Sequence, residues 1–217
     1  MKKVLVTGGV GFVGSNLIQS LISRGYEVYS IDDYSSGSLK NELAAVKYIK
    51  MNILNISDLN ETFDICFHLA ARTLVQESFK RVDDYFSSNV TGTLNIAKWA
   101  SKNNIKLIYA GSASKHNNPR SSPYALTKFL GEEICKLYKK SFNVNVEIAR
   151  FYNVYGPHEP LDEKFGNVIG IWQVKVNNNQ PLPIVGDGNQ KRDFIHVYDI
   201  VDGLLKISNS DINHDDA

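Results

Sequence analysis

The sequence predicts an α/β fold built on a doubly wound parallel sheet with a small annex, and three observations carry that prediction. Short β-branched runs alternate with helical patterns as far as Arg150, which is how a parallel sheet covered on both faces reads. A glycine-rich turn joins the first run to the first helix. The length of 217 residues suits one large domain with an annex rather than two full domains.

The expected strands are Lys3 to Thr7, Glu27 to Ile31, Lys47 to Met51, Asp64 to Leu69, Lys106 to Ser112 and Asn145 to Arg150. Between the first two, Phe12 to Arg24 carries Leu17, Ile18, Leu21 and Ile22 at helical spacing, and Gly25 marks its stop. Val82 to Asn103 and Pro123 to Phe142 read as longer helices. After Arg150 the pattern changes to Phe151-Tyr152-Asn153-Val154-Tyr155-Gly156-Pro157, followed by a Pro- and Asn-rich stretch with a helix over Val168 to Val176. A strand-like Asp193 to Val197, a helical Asp199 to Ile207 and a polar tail from Asn209 to Ala217 complete the chain, the tail being of a kind that frays.

A composition of 43% hydrophobic and 22% charged residues is that of an ordinary globular protein, and no apolar run approaches the roughly 18 residues that span a bilayer. The formal charge of +1 provides no field to gather nucleic acid or an anionic membrane, so neither is an expected partner. The N-terminus enters a strand directly, without the pattern of a signal peptide, and a cytoplasmic location is the expectation. Cys66 and Cys135 sit apart in apolar stretches and read as reduced, packed thiols.

Within Thr7-Gly8-Gly9-Val10-Gly11-Phe12-Val13-Gly14, the glycines Gly8, Gly11 and Gly14 follow an apolar strand and open an amphipathic helix. A tight turn, close approach of backbone N–H groups to a pyrophosphate, and helix packing on a strand all require small residues there. Asp32 stands 18 residues beyond Gly14, at the end of the second strand, where a carboxylate accepts from the ribose hydroxyls of adenosine and repels a 2′-phosphate. The cofactor expected is therefore NAD rather than NADP. Asp33 is placed to share that role, and the plainer alternative is that Asp32 caps the turn before Tyr34.

Tyr124 and Lys128 lie four residues apart on one helix face, with Ser112 at the carboxyl end of a central strand. A free phenol titrates near pH ~10 and is a poor base at neutral pH. A neighbouring ammonium together with the positive charge of an oxidised nicotinamide would stabilise the phenolate. On this reading Tyr124 handles a substrate hydroxyl proton, Ser112 hydrogen-bonds the same oxygen, and Lys128 also holds the nicotinamide ribose.

With these motifs together, the chain resembles the extended short-chain dehydrogenase/reductase family, and within it the nucleotide-sugar epimerases of the UDP-glucose 4-epimerase type. The resemblance extends through His68-Leu69-Ala70-Ala71, Asn89-Val90-Thr91-Gly92-Thr93, Arg150 to Pro157, and Gly186 to Val197. It implies a Rossmann domain over residues 1–165, a partial substrate-binding annex over 166–189 and a return to the Rossmann domain over 190–217. It implies a cofactor lined by Gly8, Gly11, Phe12, Val13, Asp32, Asn52, Ile53, Leu69, Ala70, Ala71, Tyr124, Lys128 and Phe151. The nucleotide-sugar would meet Ser112, Asn153, Asn167 and Val168, with Arg192 on its diphosphate, where a guanidinium forks onto phosphate oxygens. His68 and His196 are expected to be structural. His158-Glu159-Pro160 lacks a metal-ligand set, and no metal is expected.

Three departures from the resembled family stand out. Only 12 positions separate Ser112 from Tyr124, so the loop that covers the sugar is short. Asn52-Ile53 replaces the Asp-Ile that the family sets against adenine, although Asn still accepts from the exocyclic amine. The residues after Arg192 supply less of the substrate lobe than the family carries, so the annex is expected to be truncated.

Family dehydratases and decarboxylases carry an acidic residue beside the catalytic Ser or Thr, and Ser112-Ala113-Ser114 offers none. The reaction expected is redox-neutral epimerisation at C4 of a UDP-hexose through a 4-keto sugar, with Ser112, Tyr124 and Lys128 as the catalytic set. The alternatives are another NAD-dependent nucleotide-sugar dehydratase or reductase, and a non-catalytic NAD-binding module. The resemblance also implies a homodimer joined through Val82 to Asn103 and Pro123 to Phe142.

Overall fold

The computed structural model describes residues 1–114, 118–161, 167–184 and 186–210. Its main sheet contains β1 (Lys3–Thr7), β2 (Glu27–Asp32), β3 (Lys47–Lys50), β4 (Ile65–His68), β5 (Lys106–Ser112) and β6 (Val146–Phe151). These strands run parallel in the order β3-β2-β1-β4-β5-β6. The doubly wound expectation holds, with each strand displaced by no more than a residue or two from its predicted bounds. β1 and β4 are buried almost throughout because helices cover both faces of the sheet, which is why they read as continuous apolar runs.

Side chains alternate across the sheet and divide the core in two. On one face, Val4, Val6, Phe67 and Ile108 meet Leu17, Ile18 and Leu21 of α1 (Phe12–Ser23) and Leu204 and Leu205 of the helix Val197–Asn209. On the other, Leu5, Cys66, Leu107 and Tyr109 meet Ile96 and Trp99 of Thr93–Lys102 and Cys135 and Tyr138 of Pro123–Phe142. Both cysteines are free and buried, as expected of packed thiols.

The predicted helix Val82 to Asn103 is corrected to three segments. A short α2 (Val75–Ser78) precedes it, α3 spans Val82–Tyr85, a π-helical turn spans Phe86–Gly92, and α4 spans Thr93–Lys102. Apolar periodicity does not register one added residue per turn. Here Asn89, within the π turn, receives the Arg72 N–H at 2.8 Å and donates to the Arg72 carbonyl at 3.0 Å and to Thr127 Oγ1 at 3.1 Å. Such turns recur where a helix must aim a particular side chain.

The helix Pro123–Phe142, α5, matches its prediction. Ser122 caps it by accepting from Ala125 N at 3.1 Å, Pro123 occupies the first turn, and Asn143 ends it in the left-handed region. A buried ion pair fixes α5 to β6: Arg150 donates through Nε and Nη2 to the two oxygens of Glu132 at 3.0 and 2.7 Å. Lys136 Nζ lies 3.1 Å from the same carboxylate.

Beyond β6 the chain forms β7 (Asn153–Tyr155), α6 (Val168–Asn177), β8 (Phe194–His196) and α7 (Val197–Asn209). β7 and β8 pair in parallel as a separate two-stranded sheet. His196 caps α7 by accepting from Tyr198 N at 3.2 Å and packs edge-on to Tyr155, which accords with a structural role. At the other end of α7, Lys106 Nζ donates to the carbonyls of Ile207, Ser208 and Ser210 at 2.9, 3.1 and 2.7 Å, satisfying groups the helix leaves open. The expected frayed tail lies outside the described residues from position 211 onward.

Glu132→Ala removes the carboxylate that receives two Arg150 nitrogens at the buried α5–β6 contact. Urea denaturation is expected to show a loss of about 3–5 kcal/mol, the usual cost of breaking a buried pair from one side. A loss no larger than the ~1 kcal/mol of a surface pair would mean that other contacts hold α5 to β6.

Candidate active site

The strand order reverses between β1 and β4, because the chain builds outward to β3 and then crosses to the far side of β1. The loops leaving the two strands diverge there, and in open α/β sheets ligands bind in that crevice. A cleft of about 1110 Å³ opens at this point, lined by Gly8, Asp32, Ala70, Ser112, Tyr124 and Lys128 among others. Every predicted cofactor residue borders it, as do Ser112, Asn153, Asn167 and Arg192. Val168 is not among the lining residues and stands half-exposed on α6.

The glycine loop leaves no room for side chains. Gly8 adopts φ +74°, and a Cβ there would sit 2.8 Å from the Ala70 nitrogen; one at Gly14 would sit 2.2 Å from the Gly8 carbonyl oxygen. No side chain caps the N-terminus of α1, and its first turn holds no acidic residue. Bare N–H groups and an uncompensated positive helix end form an anion site. At the end of β2, the oxygens of the buried Asp32 accept from Val10 N at 3.1 Å and Tyr34 N at 2.9 Å. Burial raises the pKa of this carboxyl, while those two amides oppose the rise. A bare loop, a helix N-terminus and a strand-end carboxylate together fit a dinucleotide with a free adenosine ribose.

Asn52 is already engaged through both ends of its amide. Its oxygen accepts from Leu54 N at 2.9 Å, and its nitrogen donates to Asp33 Oδ2 at 3.2 Å. Thus Asp33 orients Asn52, which lines the cleft.

Behind the loop runs a buried polar chain that sequence reasoning did not assemble. The Ala70 N–H donates to Thr7 Oγ1 at 3.2 Å, and Thr7 Oγ1 lies 2.8 Å from His68 Nδ1. His68 Nε2 lies 3.1 Å from Thr93 Oγ1, whose hydroxyl donates to the Asn89 carbonyl at 2.7 Å. With the Thr93 hydrogen committed, Nε2 must be the donor and Nδ1 the acceptor, which assigns the tautomer from the network. Burial, aided by the Lys128 charge, lowers the His68 pKa to about 3, so the ring is neutral and structural as expected. From Asn89 the chain continues to Thr127 Oγ1, which donates to the Tyr124 carbonyl at 3.0 Å. The quoted Asn89-Val90-Thr91-Gly92-Thr93 motif was its visible trace.

The Tyr124 hydroxyl lies 3.2 Å from Ser112 Oγ. Burial raises the Tyr124 pKa, and the Ser112 hydrogen bond lowers it by less. Lys128 is 6% exposed, and its Nζ donates to the Ala110 carbonyl at 2.6 Å while lying 4.5 Å from the Tyr109 ring centroid. Burial brings its pKa down to about 8. The Lys128 ammonium is directed at the Ala110 carbonyl of β5, and Ser112 is the side chain hydrogen-bonded to the phenol.

At the annex, Asn167 Oδ1 caps α6 by accepting from Ile169 N and Gly170 N at 2.8 and 3.2 Å, and its amide donates to Val154 O at 2.7 Å. Asn153 donates to Asp193 O at 2.9 Å, and Arg192 is exposed beside it at the cleft edge. Among the described residues there is no cluster of metal-ligating side chains and no helix long and apolar enough to cross a membrane.

Comparison with known proteins agrees with this geometry. The Bacillus subtilis protein described as the uncharacterized UDP-glucose epimerase YtcB is 32% identical over 94% of this chain and 72% of its own length. The UDP-N-acetylglucosamine 4-epimerase of Methanobrevibacter ruminantium M1, solved with UDP-N-acetylmuramic acid, superposes with a TM-score of 0.91 at 30% identity, covering 98% of this chain and 74% of the other. UDP-glucuronic acid decarboxylase 1 of Xenopus tropicalis is 27% identical over 98% of this chain and 55% of its own length. The profile matching residues 4–215 is that of the NAD dependent epimerase/dehydratase family. With its bare glycine loop, its strand-end Asp32 and its Ser112, Tyr124 and Lys128 in one cleft, this chain belongs to that NAD-dependent family of nucleotide-sugar enzymes.

Proposed function

We propose that the protein epimerises a UDP-hexose at C4 through a transient 4-keto sugar. The observation that carries this reading is the Ser112–Tyr124 hydrogen bond in the same cleft as the glycine loop, with no carboxylate in the Ser112-Ala113-Ser114 segment beside it. Tyr124 takes the proton of the sugar O4 hydroxyl and later returns it, so no proton is gained or lost overall. Ser112, hydrogen-bonded to the Tyr124 hydroxyl, holds that oxygen in position for O4. Lys128, held by Ala110, fixes the cofactor ribose. The loop of Gly8 to Gly14 binds the cofactor pyrophosphate, and Asp32 its adenosine ribose. NAD supplies the chemistry of accepting and returning one hydride. Arg192 is the cation placed for the substrate diphosphate.

The decarboxylase relative favours a second reading, in which the 4-keto sugar loses a carboxyl group. An acidic partner beside the serine would support that course, and Ala113 and Ser114 do not supply one. We also infer a cytoplasmic homodimer. Val82 and Phe86 on the α3 side and Leu137 and Phe142 on α5 are exposed apolar side chains on the two helical stretches a dimer would use. Light scattering at micromolar concentration is expected to give twice the chain mass, and a monomer there removes the inference.

NAD is expected to bind more tightly than NADP by calorimetry, and Asp32→Ala should weaken NAD and narrow the gap. Preference for NADP in the unmodified protein would overturn the role given to Asp32. Tyr124→Phe keeps the ring and loses only the hydroxyl, so NAD affinity should persist while conversion of UDP-sugars, followed by NMR, falls about 10²- to 10⁴-fold. Near-normal turnover in Tyr124→Phe would assign the proton transfer to another group.

A further inference from the structure

Ser112 Oγ has three hydrogen-bonding neighbours: the Ser114 N–H at 3.2 Å, the Ser114 hydroxyl at 3.0 Å and the Tyr124 hydroxyl at 3.2 Å. The arrangement follows from the end of β5. Ala113 N donates to the Phe151 carbonyl at 3.0 Å, which extends the β5–β6 ladder by one residue, and the chain then turns so that Ser114 folds back over Ser112.

A serine hydroxyl has two lone pairs and one hydrogen. The Ser114 amide only donates, so it occupies one lone pair. The remaining lone pair and the hydrogen are shared between the Ser114 and Tyr124 oxygens, one to each. While Tyr124 is a phenol, it can donate to Ser112, which then donates to Ser114. A phenolate has no hydrogen to give. Ser112 must then donate to Tyr124, and the Ser114 hydroxyl reverses to fill the lone pair left behind. Only the phenol proton has departed, to the group that accepts it, and the two serine hydrogens remain in the chain.

We propose that Ser114 is a positioning residue for Tyr124: its N–H and O–H fill the lone pairs of Ser112 and turn the Ser112 hydrogen onto the Tyr124 oxygen, stabilising the phenolate. A hydrogen bond onto an ionised oxygen is short and strong, and a second hydroxyl behind it polarises the first. Other ionisable groups around Tyr124 are Tyr109 from β5, Tyr85 from α3, Lys128 from its own helix and Arg72 on the cleft wall, with neutral His68 of β4 behind Tyr109. None of these is bonded to Ser114, so removing its hydroxyl leaves them in place. The inference rests on Tyr124 being the base, as proposed above.

The test is a tyrosinate absorbance titration of the full chain saturated with NAD, subtracting in each case the same protein carrying Tyr124→Phe, so that only Tyr124 is read. Ser114→Ala should move the Tyr124 midpoint up by about one pH unit, equivalent to tenfold less phenolate below the midpoint. Ser114→Thr keeps a hydroxyl and should titrate like the unmodified protein. An unchanged midpoint in Ser114→Ala, or an equal shift in Ser114→Thr, overturns the proposal. The titration needs no sugar, so it is decided separately from the identity of the reaction. If the unmodified and Tyr124→Phe curves coincide, Tyr124 forms no phenolate, and the proposal falls together with Tyr124 as base.

Discussion

The loops leaving β1 and β4 pass so close at Gly8 and Ala70 that a single methyl group would not fit between them, and the rest of the site is arranged around that approach. It excludes a side chain at Gly8 and brings the Ala70 N–H onto Thr7. From Thr7 the same contact continues through His68, Thr93, Asn89 and Thr127 to the main chain of Tyr124. A buried polar chain in low dielectric rigidifies its surroundings when every member is satisfied and is costly when one is not. The glycine loop's strand and α5 are thus parts of one hydrogen-bonded unit.

Burial acts on the two central titratable side chains in opposite senses. It raises the Tyr124 phenol and lowers the Lys128 ammonium, favouring the neutral form of each. Ser112 draws the phenol back through its hydrogen bond, while Cys135 and Glu132 oppose the fall of the lysine, whose proton the Ala110 carbonyl directs at β5. At a larger scale Asp32 and Asp33 line the cleft at the β2 end, and Lys191, Arg192 and Asp193 line it beside β8.

The sheet was legible because its strands are buried on both faces, so apolar runs and turn residues bracket each one closely. The glycine loop and the Tyr124–Lys128 spacing were legible because they are local. What escaped the sequence depends on distant partners. The π turn exists to bring Asn89 to Arg72 and Thr127, contacts that periodicity over Val82 to Asn103 does not encode. Lys128 turns to a carbonyl 18 positions away in sequence. β8 was legible within the strand-like Asp193 to Val197, whereas its partner β7, a three-residue strand whose Asn153 pairs with the distant Phe194, was too short to stand out from loop sequence. Asn167, expected as a substrate contact from resemblance, spends its amide on capping α6 and holding β7. A side chain's type suggested its chemistry, while its commitments became visible only with the fold.

The Lys106 cap on α7 has a consequence for how the chain comes to be folded. Its bonds join residues 101 to 104 positions apart, so they form only after a very long loop closes. By then all six strands of the main sheet and α5 have been synthesised. Until α7 arrives, the sheet face bearing Val6, Phe67 and Ile108 lacks the cover of Leu204 and Leu205. A chain that has not yet docked α7 leaves that apolar surface bare, the kind of intermediate that aggregates or engages chaperones. The docking of one helix, clamped by one lysine, ends that exposure.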